Sequence, residues 1–490
     1  MNVVLAIDLG ASSGRAMLCF YEDGRFRLQE AHRFENIPIT RDGRLMWDYK
    51  TLLREVKTGM KKASGVTHID SVGIDTWGVD FALVTKDGEI LEGPAHYRDT
   101  RKNGISEEVF KDVPPEFIYR RTGIQFMEIN TLYQLYALKR DRPELFGQDL
   151  RLLMMPDLLG WSLTGKFCAE ISIASTSNLV DPYFKQWDNG LTDKLGLGPI
   201  IPWFQNIVHP GTELGAVKPE ILEELGLPDM RVISVAGHDT ASAVAAVPYN
   251  PENTLFLSSG TWNLIGAELD GPVRSAESAA ANVSNEIGYG GKIRFLKNVT
   301  GFWLVQQARE TFRAQGKSLD YAALESLALE SAALRHFIDP DNPDVASPCD
   351  MPAQIRACCR RTNQSVPESD AALMRCIYDS LALKLRMAAE SLETNSGKTF
   401  GAIHLVGGGT QSALLCQTIA DITRKRVDSG PVEATALGNA AAQFIANGTL
   451  KDIGEARRVI RESFDIKQYN PAIPHETAEI AYTRFKALII

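Results

Sequence analysis

No apolar run in the chain approaches the roughly 20 residues a membrane-spanning helix needs, so a membrane partner is not expected. The first residues, Met1 to Ile7, run straight into Asp8 without a basic leader or a cleavage site. They read as a first strand rather than a signal peptide, and the cytoplasm is the expected compartment. Cysteine is sparse, at positions 19, 168, 349, 358, 359, 376 and 416, with neither a CxxC nor a His-paired spacing. That fits a reducing compartment, and whether Cys359 and Cys376 bond is left open. Positive charge is also short: the net charge is −9, and no Lys/Arg-rich tract or basic amphipathic helix stands out. A nucleic-acid surface is therefore not expected, and any anionic ligand must be met by local features. Nothing in the sequence speaks to oligomeric state.

What is present is apolar material and a set of small-residue turns. At 490 residues the chain exceeds the roughly 250–300 at which one core stops growing, so more than one domain is expected. In Val235-Ala236-Gly237-His238-Asp239-Thr240-Ala241 a small apolar run delivers a carboxylate to a strand-to-helix junction. Asp239 is the candidate catalytic base, and a simple helix cap is the alternative. Two further turns, Ile7-Asp8-Leu9-Gly10-Ala11-Ser12-Ser13-Gly14-Arg15 and Leu257-Ser258-Ser259-Gly260-Thr261-Trp262, point to a phosphate and its acceptor. Gly and Ser let backbone N–H groups approach an anion closely, and Asp8 beside such a nest suggests a cation as well.

Along the chain, the spacing predicts a helix from about Lys50 to Ala63 and a strand-turn-strand from Ile69 to Leu83, with Trp77-Gly78 at its turn. Trp77 is either a core residue or a flat face for a sugar. Tyr97 to Arg101 is a polar loop, held as a candidate for the edge of a cleft. A helical pattern runs from Pro114 to Gly165, with Arg151 to Asp157 ending a run at a proline. Pro248 to Asn253 is the expected boundary, placing one domain at 1–247, a second at 253–455 and a packing segment at 456–490. The second half opens as the first does, which reads as an internal duplication. Asp370 to Glu393 is a long helix, and Gly397-Lys398-Thr399 after it is no P-loop, because Leu392 stands where the motif's first glycine belongs. A strand at Ala402 to Val406 runs into Gly407-Gly408-Gly409, a junction where a flat ring or a phosphate can lie against bare backbone.

These turns together resemble the FGGY carbohydrate kinases, sugar kinases of the actin-like fold. The likeness covers nearly the whole chain and is most specific in Asp75-Thr76-Trp77-Gly78-Val79-Asp80-Phe81 and His238-Asp239-Thr240-Ala241-Ser242-Ala243. The resemblance implies an α/β fold of two ribonuclease-H-like (actin-like ATPase) domains with an interdomain cleft. It implies ATP-dependent phosphorylation of L-rhamnulose at its 1-hydroxyl, with L-fuculose, a xylulose or a non-catalytic sugar-sensing role as alternatives. By match to the family's motifs, Asp239 is the proton acceptor, and Gly78, His238, Asp239, Thr240 and Asn298 meet the sugar. Ala11, Ser12, Ser13, Gly14, Arg15, Thr261, Gln306 and Gly408 meet ATP. Mg²⁺ is expected on Asp8 and Asp239, directly or through water. Two departures stand out: Glu286-Ile287-Gly288-Tyr289 where such enzymes usually show Glu-Gly-Gly, and Ser412 where Asn is usual.

Overall fold

A computed structural model describes residues 2–346 and 349–489. By compactness the chain forms two units. The first takes in Met1–Pro248, Leu269–Phe295 and Ala434–Ser463, and the second Tyr249–Glu268, Leu296–Glu433 and Phe464–Ile490. The chain thus returns to the first unit after leaving it, whereas the sequence suggested one crossing and a separate tail.

In the first unit the apolar run after Asn2 becomes a strand, Asn2–Leu9, buried from Val3 onward. Burial on both faces is what a continuous apolar run predicts. The sheet order is Glu213–Ala216, Arg231–Ile233, Ser71–Thr76, Asn2–Leu9, Ser13–Glu22, Arg25–Glu35. Asn2–Leu9 pairs antiparallel with Ser13–Glu22 and parallel with Ser71–Thr76, which sets Asp8 opposite Arg15 on one side and Asp75 on the other. The helix Tyr49–Ser64 lays Leu52, Val56, Met60 and Ala63 on the core. Its outer face carries Lys50, Arg54, Lys57, Lys61 and Lys62, so a basic amphipathic helix does exist, with Lys57 paired to Glu224 at 2.6 Å. The late helix Ala434–Ala446 also packs here, and Gly438 is what permits it. A Cβ at Gly438 would lie 1.8 Å from the Ser242 carbonyl oxygen.

The second unit repeats the same strand logic. Thr254–Ser259 pairs antiparallel with Trp262–Leu269 and parallel with Ala402–Val406. Ala402–Val406 runs parallel to Arg426–Ser429, whose outer neighbour Lys467–Tyr469 is antiparallel. Hairpin, parallel strand, parallel strand, antiparallel edge is also the order in the first unit, so the duplication is real at the level of topology. The long helix spans Asp370–Ser396 and ends at Gly397 with φ +68°, a left-handed cap whose N–H reaches the Glu393 carbonyl. Gly397-Lys398-Thr399 is therefore a helix end.

Two local expectations change. Arg151 to Asp157 is not a helical run stopped by proline. It is a strand, Leu150–Met154, followed by a helix, Met155–Thr164, with Pro156 in the first turn, where a missing N–H costs nothing. The Tyr97 to Arg101 loop is built inward. Asp99 and Arg101 are nearly enclosed, Asp99 accepts the Leu45 N–H at 2.7 Å, and Arg101 lies 3.5 Å from Glu92. All seven cysteines are free thiols, Cys359 and Cys376 among them. Among the described residues, no helix is long and apolar enough to cross a membrane.

Candidate functional site

In the first unit, the strand Arg231–Ile233 gives way to extended chain, and the Thr76 N–H donates to the Gly237 carbonyl at 2.9 Å. A bridge between Thr76 and His238 continues the contact, so the Asp75–Asp80 string and the 237–240 turn lie side by side. The helix Asp239–Ala245 then starts. His238 occupies the cap position without a side-chain capping bond, and Asp239 is the first helical residue. Its Oδ1 accepts from its neighbour Thr240, from N–H at 2.5 Å and from Oγ1 at 3.1 Å. The side chain stays 29% exposed, so the carboxylate is fixed in place and still reachable by a substrate.

The sequence does not reveal which residues hold this turn: Glu170, Ser172 and Arg294 are not singled out there, and Glu286 stands out only as a departure from the family's pattern. Buried Glu170 accepts the Gly237 N–H at 2.9 Å and the Ile173 N–H at 3.0 Å, while Ser172 Oγ accepts the His238 N–H at 3.2 Å. Burial pushes the Glu170 carboxyl up, against the pull of these hydrogen bonds. On the other side, Glu286 Oε2 lies 3.2 Å from His238 Nδ1 and 3.1 Å from the guanidinium of Arg294. Burial alone would raise Glu286, but the Arg294 guanidinium beside it is the first of the groups that offset burial, and the carboxyl stays below its usual range. Asp75, the register partner of Asp8, accepts from Asn439 Nδ2 at 2.6 Å. Its carboxyl is pushed well above the ordinary value, first by burial and then by Asp8, with Asp239 adding to it. Asp8, Asp75 and Asp239 thus share one electrostatic neighbourhood.

Gly78 sits in the loop beside Val79, whose φ of +69° is unusual for a β-branched residue. The strain persists because the loop is pinned. Thr176 Oγ1 accepts the Val79 N–H at 3.1 Å, and Thr131 Oγ1 donates to the Val79 carbonyl at 2.7 Å. Asp80, one residue on, accepts from Trp47 Nε1 at 2.6 Å, Trp77 Nε1 at 3.0 Å, the Tyr97 N–H at 3.1 Å and Gln134 Nε2 at 2.8 Å. Trp77 is a core residue in this arrangement. At the hairpin tip, Ala11, Ser12 and Ser13 are at least partly open, and Asn36 braces them by donating to the Gly10 carbonyl at 3.0 Å. Gly14 is confined, since a Cβ there would meet the Phe34 ring at 2.2 Å. Arg15 reaches back across the hairpin to Asp8 at 3.5 Å.

The second unit holds the other candidates. Thr261 and Gln306 are brought together, Nε2 to Oγ1 at 3.3 Å, and the Thr261 carbonyl accepts the Gly301 N–H at 3.1 Å. Gly407 has φ +85° and ψ −165°, a region open essentially to glycine alone, and a Cβ there would lie 2.9 Å from the Ser259 carbonyl oxygen. Gly408 follows with no atom closer than 4.0 Å to its imagined Cβ, leaving its face bare. Ser412, the departure from Asn, caps the helix Ala413–Thr423 by accepting the Leu415 N–H at 3.1 Å. Asn298 is half-buried on the strand Ile293–Thr300 and belongs to this unit, unlike the other sugar candidates. Asp8 and Asp239 suit Mg²⁺ as oxygen donors. Among the described residues no group of three or more His, Cys, Asp or Glu side chains that could hold a metal ion is found.

The FGGY family of carbohydrate kinases matches this chain twice, its N-terminal domain over residues 3–246 and its C-terminal domain over 255–447. A rhamnulokinase of Halalkalibacterium halodurans is 40% identical over 96% of this chain and 99% of its own length. A rhamnulokinase of Bacteroides thetaiotaomicron is 40% identical over 98% of both chains. Among solved structures, a ligand-bound xylulose kinase from Lactobacillus acidophilus superposes with a TM-score of 0.81 at 18% identity, covering 100% of this chain and 97% of its own. Glycerol kinase from Plasmodium falciparum with ADP gives 0.80 at 15% identity, covering 100% and 98%. The two family matches and the full-length likeness to rhamnulokinases lead to one classification: the chain belongs to the FGGY family of carbohydrate kinases.

Proposed function

We propose that the protein transfers the γ-phosphoryl group of ATP to the 1-hydroxyl of L-rhamnulose, giving L-rhamnulose 1-phosphate and ADP in the cytoplasmic breakdown of L-rhamnose. The full-length likeness to rhamnulokinases supports the substrate, and the observation that carries the chemistry is Asp239. Its carboxylate is reachable, while Glu170 and Ser172 hold the backbone just before it. In this reading Gly78, His238, Thr240 and Asn298 orient the sugar so that the attacking hydroxyl donates to Asp239. Phosphoryl transfer passes through a loose transition state, so the acid receives the hydroxyl proton late and need not be strongly basic. Ala11 to Arg15 and Thr261, Gln306 and Gly408 hold the nucleotide, with bare backbone N–H groups at the glycines facing phosphate. Arg15 is near enough to Asp8 to offset charge there when phosphate arrives. Asp8 and Asp239 would hold Mg²⁺, directly or through water, and the ion would supply charge neutralisation on the transferred group.

ADP release measured with L-rhamnulose, L-fuculose and D-xylulose tests the reading. The expected result is that L-rhamnulose has the highest kcat/KM. A higher value for another ketose reassigns the substrate, and no ADP release with any sugar in the panel removes the kinase reading for these substrates.

A further inference from the structure

We infer that Arg294 and Glu286 are positioning residues that fix which ring nitrogen of His238 carries the proton, making His238 a hydrogen-bond donor on the side of Asp239. The inference deepens the proposed function, since it rests on His238 facing the sugar. Arg294 is fully buried, Glu286 is 5% exposed and His238 is 8% exposed, all within the first unit. Arg294 Nη2 donates to the Ile287 carbonyl at 3.3 Å and stands 3.1 Å from His238 Nδ1 in hydrogen-bonding geometry. A guanidinium has donors only. With a guanidinium N–H directed at it, Nδ1 is then the accepting nitrogen, and in the neutral ring the proton sits on Nε2.

Nε2 is the atom that looks toward the catalytic acid, 3.4 Å from Asp239 Oδ1. The site then offers a substrate two adjacent groups of opposite character, an N–H donor from His238 and an acceptor from Asp239. A ketose fits this pair with one oxygen accepting from the imidazole and the attacking hydroxyl donating to the carboxylate. Glu286 Oε2, 3.1 Å from Arg294 Nη2, neutralises the guanidinium and keeps it in place. It also lies 3.2 Å from Nδ1, so the opposite tautomer, with Nδ1–H given to Glu286, is the competing state that Arg294 excludes. A buried guanidinium without a carboxylate beside it would be costly, which is why the two residues act as a unit.

Nitrogen NMR of histidine-labelled protein without substrate, with the His238 signal identified by its loss in His238→Asn, reads the tautomer directly. The expected result is a bare Nδ1 and a protonated Nε2, and a protonated Nδ1 would overturn the inference whatever the sugar proves to be. Kinetics supply the second arm. Arg294→Met combined with Glu286→Leu removes the pair without leaving a lone buried charge. With L-rhamnulose, that variant should raise the sugar KM by about tenfold, because the imidazole donor is no longer held in one tautomer and orientation, while the ATP KM stays within about twofold. Arg294→Lys, which keeps a donor, should recover part of the loss. Unchanged sugar KM in a folded double variant, or equal changes in both KM values, also overturns it. If the wild-type enzyme releases no ADP with any ketose, the proposed function fails instead, and the tautomer still decides the present point.

Discussion

The turn at 237–240 in the first unit and the turn at 407–412 in the second, proposed to meet sugar and nucleotide respectively, are built from different materials. Around the first, buried charge is concentrated: Glu170, Glu286 and Arg294 hold the backbone and the imidazole, and Asp75 adds its field. The second, Gly407-Gly408-Gly409-Thr410-Gln411-Ser412, has no ionisable side chain at all and depends on glycine geometry. L-Rhamnulose and L-fuculose differ only in where one hydroxyl points, so a site that tells them apart must fix donors and acceptors rigidly. A nucleotide presents a flat ring and a chain of phosphates, for which close approach of bare backbone suffices.

The largest effect should come from the charged turn. Asp239→Asn is expected to lower kcat roughly 1,000-fold, within the range a positioned general base supplies, while calorimetric sugar binding persists. Near-normal turnover in that variant would remove Asp239 from the chemistry.

The charged side should also respond to pH, but only once a built-in cancellation is undone. Burial, reinforced by Arg98 and Lys102, lowers His96 to about 4 from its ordinary 6.5. Burial raises Asp80 to about 6 from 3.8, although Trp47, Gln134 and Trp77 pull it back. As pH falls through the His96 window, the unfolded chain takes a proton that the folded imidazole refuses, and stability present above 6.5 is lost. Between 6 and 3.8 the folded Asp80 takes a proton that the unfolded carboxylate does not, which adds stability. Each contribution is roughly 3 kcal/mol, and the two oppose. Asp80→Asn should therefore lose roughly 3 kcal/mol more than the wild type between pH 6.5 and 4, read by urea unfolding followed through tryptophan fluorescence. His96→Gln should lose less than the wild type. Parallel pH curves for all three proteins would mean that the pair does not titrate as described.

On the uncharged side, the sensitive property is space. Gly407→Ala forces a side chain into a glycine-only conformation and against the Ser259 carbonyl, a strain of about 1–3 kcal/mol. The ATP KM should rise by about tenfold with the sugar KM unaffected. A change confined to the sugar KM would reverse the assignment of the two turns.

The two regions also differ in how far the sequence exposes them. The glycine turn and the His238-Asp239-Thr240 string are contiguous, so their residue types and order reveal strand, turn and helix together. The supports of the charged turn are not contiguous. Glu170 meets Gly237 across 67 positions, and Asn439 reaches Asp75 across 364. A single acidic or amide side chain in an apolar stretch carries no local sign of its partner, and only topology brings the pair together. Gly438 preceding Asn439 in a small-residue helix was the one available hint, since glycine inside a helix usually marks close packing. Pro156 misled for a related reason: proline both ends helices and begins them, and only the strand before it decides which.

The smallest effect bears on Ser412, where the resemblance leads one to expect Asn. Its hydroxyl accepts the Leu415 N–H and so caps the helix that follows the glycine turn. Ser and Asn cap about equally well, and Ala does not. Ser412→Ala should therefore cost about 1 kcal/mol in thermal or urea unfolding, and Ser412→Asn only a few tenths. The ATP KM should be the same in Ser412→Asn as in the wild type, because the capping bond is retained. If Asn instead changes the ATP KM while stability holds, residue 412 touches the nucleotide itself. The second turn would then recognise its ligand through a side chain as the first does, and the contrast between the two would narrow to one of charge.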